Sequence, residues 1–275
     1  MKIAVTGGKG GTGKSTVATA LAVELSKKGK VLLMDMDVDC PNDDLILSAK
    51  MKKVRDVTTM IPEFDKNKCT KCGRCAEVCM ENAIVQVKGK YPILVADQCT
   101  GCRACRLACP SDAITEKRQS IGEILRGSGR VDIITGRIRP GIEESSIVVN
   151  AAKRHVKDLE KDYDYIIIDT AAGAHCPVIA ALIGVEIAVV VTEPTPLGNH
   201  DMRLILELLS KLKIESKAVI NRSDIADTGE TRKSCGEFKA DVIAEIPYDK
   251  AIAEGYASGK PMEHPAIKKI AEAVA

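Results

Sequence analysis

Lys2-Ile3-Ala4-Val5-Thr6-Gly7-Gly8-Lys9-Gly10-Gly11-Thr12-Gly13-Lys14-Ser15-Thr16 decides the fold. Its first five residues read as a short apolar strand. A helical run starts near residue 14 and extends to about residue 28, where Gly29 suits a helix terminus. Residues 31–36 read as a second buried strand, so strand, loop, helix and strand follow one another as in a parallel sheet with a right-handed crossover. The loop between them, Gly8 to Ser15, fits G-x-x-x-x-G-K-S/T and lies after a strand and at the start of a helix, where that motif binds phosphate. Glycine lets the backbone wrap an anion, and successive amides with the helix N-terminus supply the positive potential. Gly10, Gly11, Thr12, Gly13, Lys14, Ser15 and Thr16 are therefore candidate nucleotide-binding residues. Lys14 reaches toward the β- and γ-phosphates and Ser15 toward Mg²⁺.

Working outward, the βα alternation breaks off and later resumes. Between residues 61 and 118 cysteines recur every few positions, and the segment repeats itself at an offset of 30 residues. Its two runs are Cys69-x2-Cys72-x2-Cys75-x3-Cys79 and Cys99-x2-Cys102-x2-Cys105-x3-Cys109-Pro110. Such repetition points to a pseudo-twofold module. After it, residues 121–125 and 131–134 read as a hairpin around Gly127-Ser128-Gly129. Helices are expected near 143–161 and 199–213, with strands near 165–169, 187–192, 217–220 and 242–246. The expected organisation is an α/β core of residues 1–60 and 119–275, interrupted by an insert at 61–118.

Three elements of the core form a set. Lys9 places a second lysine inside the phosphate loop; Asp37 ends the second strand, with Asp35 and Asp39 as neighbours two positions away; Asp169-Thr170-Ala171-Ala172-Gly173 ends a later apolar strand. Together they resemble the MinD/Mrp/ParA ATPases, relatives of the nitrogenase iron protein, with their deviant Walker A loop. The resemblance implies a mostly parallel P-loop NTPase sheet and a dimer that sandwiches ATP. It further implies that Lys9 reaches the partner's nucleotide as an arginine finger would, that Asp37 orients the attacking water, and that Asp169 holds Mg²⁺ through water. Asn221 resembles the family's adenine-contacting residue, and Pro247, in Ile246-Pro247-Tyr248, its base-flanking loop. A solvated loop lysine and plain strand-end residues are the ordinary readings of Lys9, Asn221 and Pro247.

The cysteine runs resemble a bacterial two-[4Fe–4S] ferredoxin, a small α+β domain. That resemblance implies crossed ligation: Cys69, Cys72, Cys75 and Cys109 on one cluster, and Cys99, Cys102, Cys105 and Cys79 on the other. Zinc is the structural alternative for paired Cys-x2-Cys. Met80 stands where the first run would carry Pro, which loosens a turn and removes no ligand. Cys176, seven residues beyond Asp169, matches the offset of a cluster ligand in the nitrogenase iron protein. It reads equally as a small apolar residue, because a second such ligand has no counterpart. Cys40 and Cys235 are isolated.

Composition bounds the function. Of 275 residues 45% are apolar but 3% aromatic, with no Trp, so the core must be aliphatic, as parallel sheets usually are. A formal charge of +2 gives no field for nucleic acid or an anionic membrane. No apolar run approaches the roughly 18 residues of a membrane span. Eleven cysteines, an odd number, suit metal ligation in a reducing cytoplasm better than a disulfide framework. The expected protein is a cytoplasmic ATPase that uses ATP/ADP, Mg²⁺ and two [4Fe–4S] clusters, as a homodimer or a heterodimer with a related ATPase. It would couple nucleotide-driven switching to cluster assembly and delivery, or to gated electron transfer to a client metalloprotein. The rival expectation is a MinD/ParA-like positioning ATPase with a redox-sensing ferredoxin module.

Overall fold

The computed structural model describes residues 1–275. In chain order the first elements are β1 (Lys2–Thr6), α1 (Lys14–Leu25), β2 (Val31–Met36), α2 (Asp43–Ile46) and β3 (Lys52–Phe64). The cysteine-rich stretch contributes α3 (Arg74–Glu77), β4 (Ile84–Val85), β5 (Ile93–Leu94) and α4 (Ala104–Leu107). Then come β6 (Ile114–Gly127), β7 (Asp132–Ile138), α5 (Ser145–Val156), β8 (Tyr165–Thr170), α6 (Cys176–Leu182) and β9 (Ile187–Thr192). The chain ends with α7 (Pro196–Leu212), β10 (Glu215–Asn221), α8 (Gly229–Glu237), β11 (Asp241–Ile246), α9 (Lys250–Ala257) and α10 (Pro265–Val274).

Nine strands form one sheet in the order β11-β10-β9-β1-β8-β2-β7-β6-β3. From β11 to β7 every neighbouring pair is parallel. The central strands β1, β2, β8 and β9 are rich in Ile, Val, Leu and Ala and are buried almost throughout, as strands of a parallel sheet covered on both faces are. Toward the edge, β10 and β11 carry charged residues and are partly exposed. One layer joins Ile3, Val5, Leu33, Ile167 and Val189 to Val17, Leu21 and Leu25 of α1 and to Ile267 and Ile270 of α10. The sequence suggests a helix to residue 28 with a single apolar stripe, but α1 stops at Leu25 and is buried around most of its circumference. The physical reason is α10, which covers the side that a two-layer arrangement would leave wet. No helix is long and apolar enough to cross a membrane.

The chain divides into two compact units: Met1–Arg55, Ile124–Arg137 and Ser145–Ala275 form the first, and Asp56–Glu123 with Ile138–Glu144 the second. Strand β3 was not foreseen, since charged residues interrupt it. The expected hairpin strands are both longer, as β6 and β7. The second unit has a small core of Cys75, Ile84, Cys105 and Ile114 with Phe64, Cys79 and Cys109 against it. Its repeat is written into the backbone. Positive φ occurs at Lys71 (60°), Gly73 (89°) and Asn82 (53°), and again 30 residues later at Gly101 (73°), Arg103 (67°) and Asp112 (47°). Each half thus turns at the same three places.

Candidate functional site

Parallel strands put all their C-terminal ends on one edge, and the loops that leave that edge converge there. The phosphate loop leaves β1, Asp37 follows β2, Asp169 lies in β8, Asn221 ends β10 and Pro247 follows β11. All but Asp169, which is buried, line a cavity of about 410 Å³ bounded by Gly10, Gly11, Gly13, Lys14, Ser15, Thr16, Asp37, Asn221 and Pro247. That volume lies within the range of small-molecule sites. The loop is open where an anion must approach, since a Cβ on Gly10 or Gly11 would meet nothing within 4 Å. Gly13 caps α1 at φ 96° without a side-chain hydrogen bond, which leaves the first helical amides facing outward. Thr12 is buried, its hydroxyl turned onto the Lys9 carbonyl (3.4 Å).

Charge is concentrated beneath the loop. Burial lowers the Lys14 pKa, and the carboxylates of Asp169 and Asp37 oppose that shift. Its Nζ donates to the Lys9 carbonyl at 3.0 Å. Burial pushes Asp169 up to about 7, with Ser15 and Lys14 drawing it down. Asp37 lines the cavity, and Asp35 and Asp39 do other work. The Asp35 carboxylate accepts from the amides of Asp37 (3.2 Å), Asn42 (3.0 Å) and Asp43 (3.1 Å), which ties down the loop after β2. Asp39 accepts from Ser145 Oγ (2.8 Å).

Asn221 faces the cavity with one amide hydrogen already given to the Thr12 carbonyl (2.8 Å). Its Nδ2 would stand 2.5 Å from a Cβ on Gly13, so that glycine is required by close approach as well as by φ. Lys9 points back onto its own chain, with its Nζ 3.4 Å from Glu193.

Sequence reasoning missed Glu193, Arg222 and Asp43. The Glu193 side chain is 5% exposed and pairs with both Lys9 and the cavity-lining Arg222. Its place at the end of β9, on the same sheet edge, was the available signal. Asp43 is fully buried within 4.8 Å of Asp35 and Asp169. Burial, reinforced by Asp169 for Asp35 and by Asp35 for Asp43, lifts both well above the carboxylate range. Such a trio holds protons unless a cation joins it.

In the second unit the thiols gather into two sets. Cys79, Cys99, Cys102 and Cys105 line one cavity of about 260 Å³. Cys69, Cys72, Cys75 and Cys109 line another. Each draws three thiols from one run and the fourth from the other. All are free thiols. Against its burial, the Ala113 amide, which donates to Cys109 Sγ at 3.3 Å, and Ser111 lower that thiol's pKa, whereas burial raises Cys105 to about 11. Cys176 is exposed at the start of α6, and Cys40 is exposed too. Cys235 is a packing residue, buried with its Sγ 3.6 Å from Met202 Sδ.

Comparison with known proteins adds ancestry. A family model described as the CobQ/CobB/MinD/ParA nucleotide binding domain matches residues 3–262. An uncharacterized protein of Methanocaldococcus jannaschii is 34% identical over 268 residues, covering 94% of this chain and 90% of that one. The iron-sulfur cluster carrier protein of Pyrococcus abyssi is 23% identical over 291 residues, covering 98% and 83%. Among solved structures, septum site-determining protein MinD complexed with Mg-ADP from Pyrococcus horikoshii matches at TM-score 0.58 and 22% identity, covering 99% of this chain and 95% of that one.

Proposed function

The chain belongs to the CobQ/CobB/MinD/ParA nucleotide-binding family, and from that premise we propose that it is a Mg²⁺-dependent ATPase acting on two [4Fe–4S] clusters held by its second unit. The amides of Gly10 to Thr16 bind the phosphates, Lys14 neutralises them, and Ser15 with Asp169 holds Mg²⁺. Asp37 orients water for attack. Lys9 leaves Glu193 and reaches the nucleotide of a partner chain, stabilising charge that grows as the γ-phosphate departs. Movement of the segments after β2 and β8 is the switch.

The observation that carries the iron–sulfur half is the sorting of eight thiols into two crossed sets of four. A single tetrahedral zinc, at Zn–S about 2.3 Å, is the alternative occupant of each set, and metal analysis separates it from a cluster. Such clusters supply one-electron chemistry. Crossed ligation ties each cluster to both halves of the repeat, which favours gated electron transfer to a client metalloprotein over surrender of the cluster. Delivery is the second reading, favoured by the likeness to a cluster carrier and by the exposed Cys176.

Anaerobic purification with iron and sulfide analysis tests the reading, alongside ATP hydrolysis with and without Mg²⁺. Expected are about eight irons per chain and Mg²⁺-dependent turnover. Two zinc ions per chain would overturn the cluster assignment, and transfer of iron to an apo-protein would move the function to delivery.

A further inference from the structure

The β4–β5 ribbon has an inner and an outer face. Side chains alternate along a strand, and here the alternation separates two jobs. Inward, Gln86 and Pro92 wall the cavity of Cys69, Cys72, Cys75 and Cys109, and Gln86 Oε1 lies 3.9 Å from Cys75 Sγ. Outward, Val85 pairs directly across the ribbon with Ile93. Both are open to solvent, at 51% and 67%, and Val87 and Val95 join them at 66% and 39%. Val85 and Ile93 are cross-strand neighbours on the ribbon, and Val87 and Val95 lie two residues further along the same alternation. Val95 is held in the ladder by its amide on the Ala83 carbonyl (2.8 Å), so four β-branched residues fall in one short apolar patch.

A ring of cations surrounds the turn end of this patch. The turn closes with the Lys90 amide on the Val87 carbonyl (2.9 Å), so Lys88 and Lys90 project beside Val87. Tyr91 gathers two more, with Lys71 Nζ 4.5 Å and Lys66 Nζ 5.8 Å from its ring centroid. Residues 65–97 carry six Lys or Arg against four Asp or Glu. All four acids, Asp65, Glu77, Glu81 and Asp97, lie outside the ribbon stretch 83–95, whose only charged residues are Lys88 and Lys90.

We infer that the outer face of the β4–β5 ribbon, centred on Val85, Val87 and Ile93 and rimmed by Lys66, Lys71, Lys88 and Lys90, docks an acidic redox protein beside the Cys69–Cys72–Cys75–Cys109 site. Charge complementarity selects the occupant. A second copy of this face would bring like charges together. Nucleic acid would satisfy the lysines but gain nothing from the valines and isoleucine. An acidic protein with an apolar centre satisfies both. The redox character of the partner rests on the iron–sulfur reading above; the docking face itself does not.

The test uses the holoprotein and a strongly acidic ferredoxin as the probe, with a DNA duplex and phosphatidylserine vesicles in parallel. Lys88→Glu with Lys90→Glu should weaken ferredoxin binding about tenfold or more, and added salt should do the same. Val87→Ser with Ile93→Ser should weaken it several-fold at unchanged charge, with iron content constant in both variants. No ferredoxin binding, or binding that ignores both variants, overturns the proposal. So does DNA or vesicle binding that falls with the lysines but not with Val87 and Ile93. Iron content separates the two readings. Iron present with variant-insensitive binding removes the docking face alone, whereas variant-sensitive binding in a chain without iron keeps the docking face and removes the cluster reading together with the redox character of the partner.

Discussion

Two lysines of one loop are asked to do different things, and their surroundings differ accordingly. Lys14 is buried between Asp37 and Asp169, where replacement strips charge from the heart of the phosphate site. Lys14→Gln should weaken nucleotide binding by about 10–100-fold, the value of one hydrogen bond to a charged group at about 1.5–3 kcal/mol. Titration of a fluorescent nucleotide measures it. Lys9 is half-exposed and faces Glu193, outside the cavity lining. Lys9→Ala should therefore leave nucleotide affinity within a few-fold while turnover falls by about 10³-fold, the scale of an arginine finger. Glu193 keeps Arg222 in that variant, so the fold should survive. Equal losses of affinity and turnover would place Lys9 in its own chain's site instead.

At the scale of elements, helix α6 ends in an unusual way. Lys153 of α5 reaches across and donates to the carbonyls of Ala180 (2.6 Å), Ala181 (3.2 Å) and Ile183 (2.5 Å), acceptors that the helix cannot satisfy itself. Lys153→Met should lower the melting temperature by several degrees, about 1–3 kcal/mol for carbonyls left without partners. Burial also pulls Lys153 down to about 8. Between about pH 8 and its unfolded value near 10.5, the unfolded chain binds more protons than the folded one, so this group adds stability as pH rises through that window. The melting-temperature gap between wild type and Lys153→Met should widen over that range, and a flat gap would mean the ammonium is not perturbed.

The paired thiol runs yield a sharper element-scale outcome. Cys79→Ser should abolish the same spectroscopic species as Cys99→Ser, not the one lost with Cys69→Ser, and should remove about four of about eight irons. Such elements were legible to different depths. The phosphate loop and three thiols of each set were readable because their chemistry is local, whereas the fourth thiol of each set lies in the other run and came only from the resemblance. The partners of Lys9 and Asp35 were not readable. The Lys9–Glu193 contact spans 184 residues, and Asp43 declares itself only when β2 and β8 set Asp35 opposite Asp169. Strand β3 escaped for another reason: Lys52, Lys53, Arg55, Asp56 and Pro62 break any apolar pattern, and exposed strand residues need none.

For the whole molecule, the proposed coupling between nucleotide and thiol chemistry requires a signal that neither site gives alone. The EPR spectrum of the reduced protein should change in line shape or midpoint potential when ATP and Mg²⁺ are added. In Lys14→Gln it should not. A spectrum indifferent to ATP in wild type would leave the clusters as passengers. The fold class and the succession of βα units along the chain followed from the βα rhythm of the sequence, while their order in the sheet came only with the structure. The two-sided burial of α1 and the covering α10 did not follow from it, because burial on a helix's second side depends on what the distant C-terminus brings.

The crossed cavities and the repeated φ values of the second unit together have a consequence for the link between its halves. Either half supplies three thiols to one cavity and lends its fourth to the other, while both halves bend at the same three positions. Each half carries four thiols but keeps only three in its own cavity, so two copies of one half would close two such cavities between them. A pair of such thirty-residue halves, free or joined, would build the same two cavities, so the link between them sets their stoichiometry at one to one and is not itself a ligand of either.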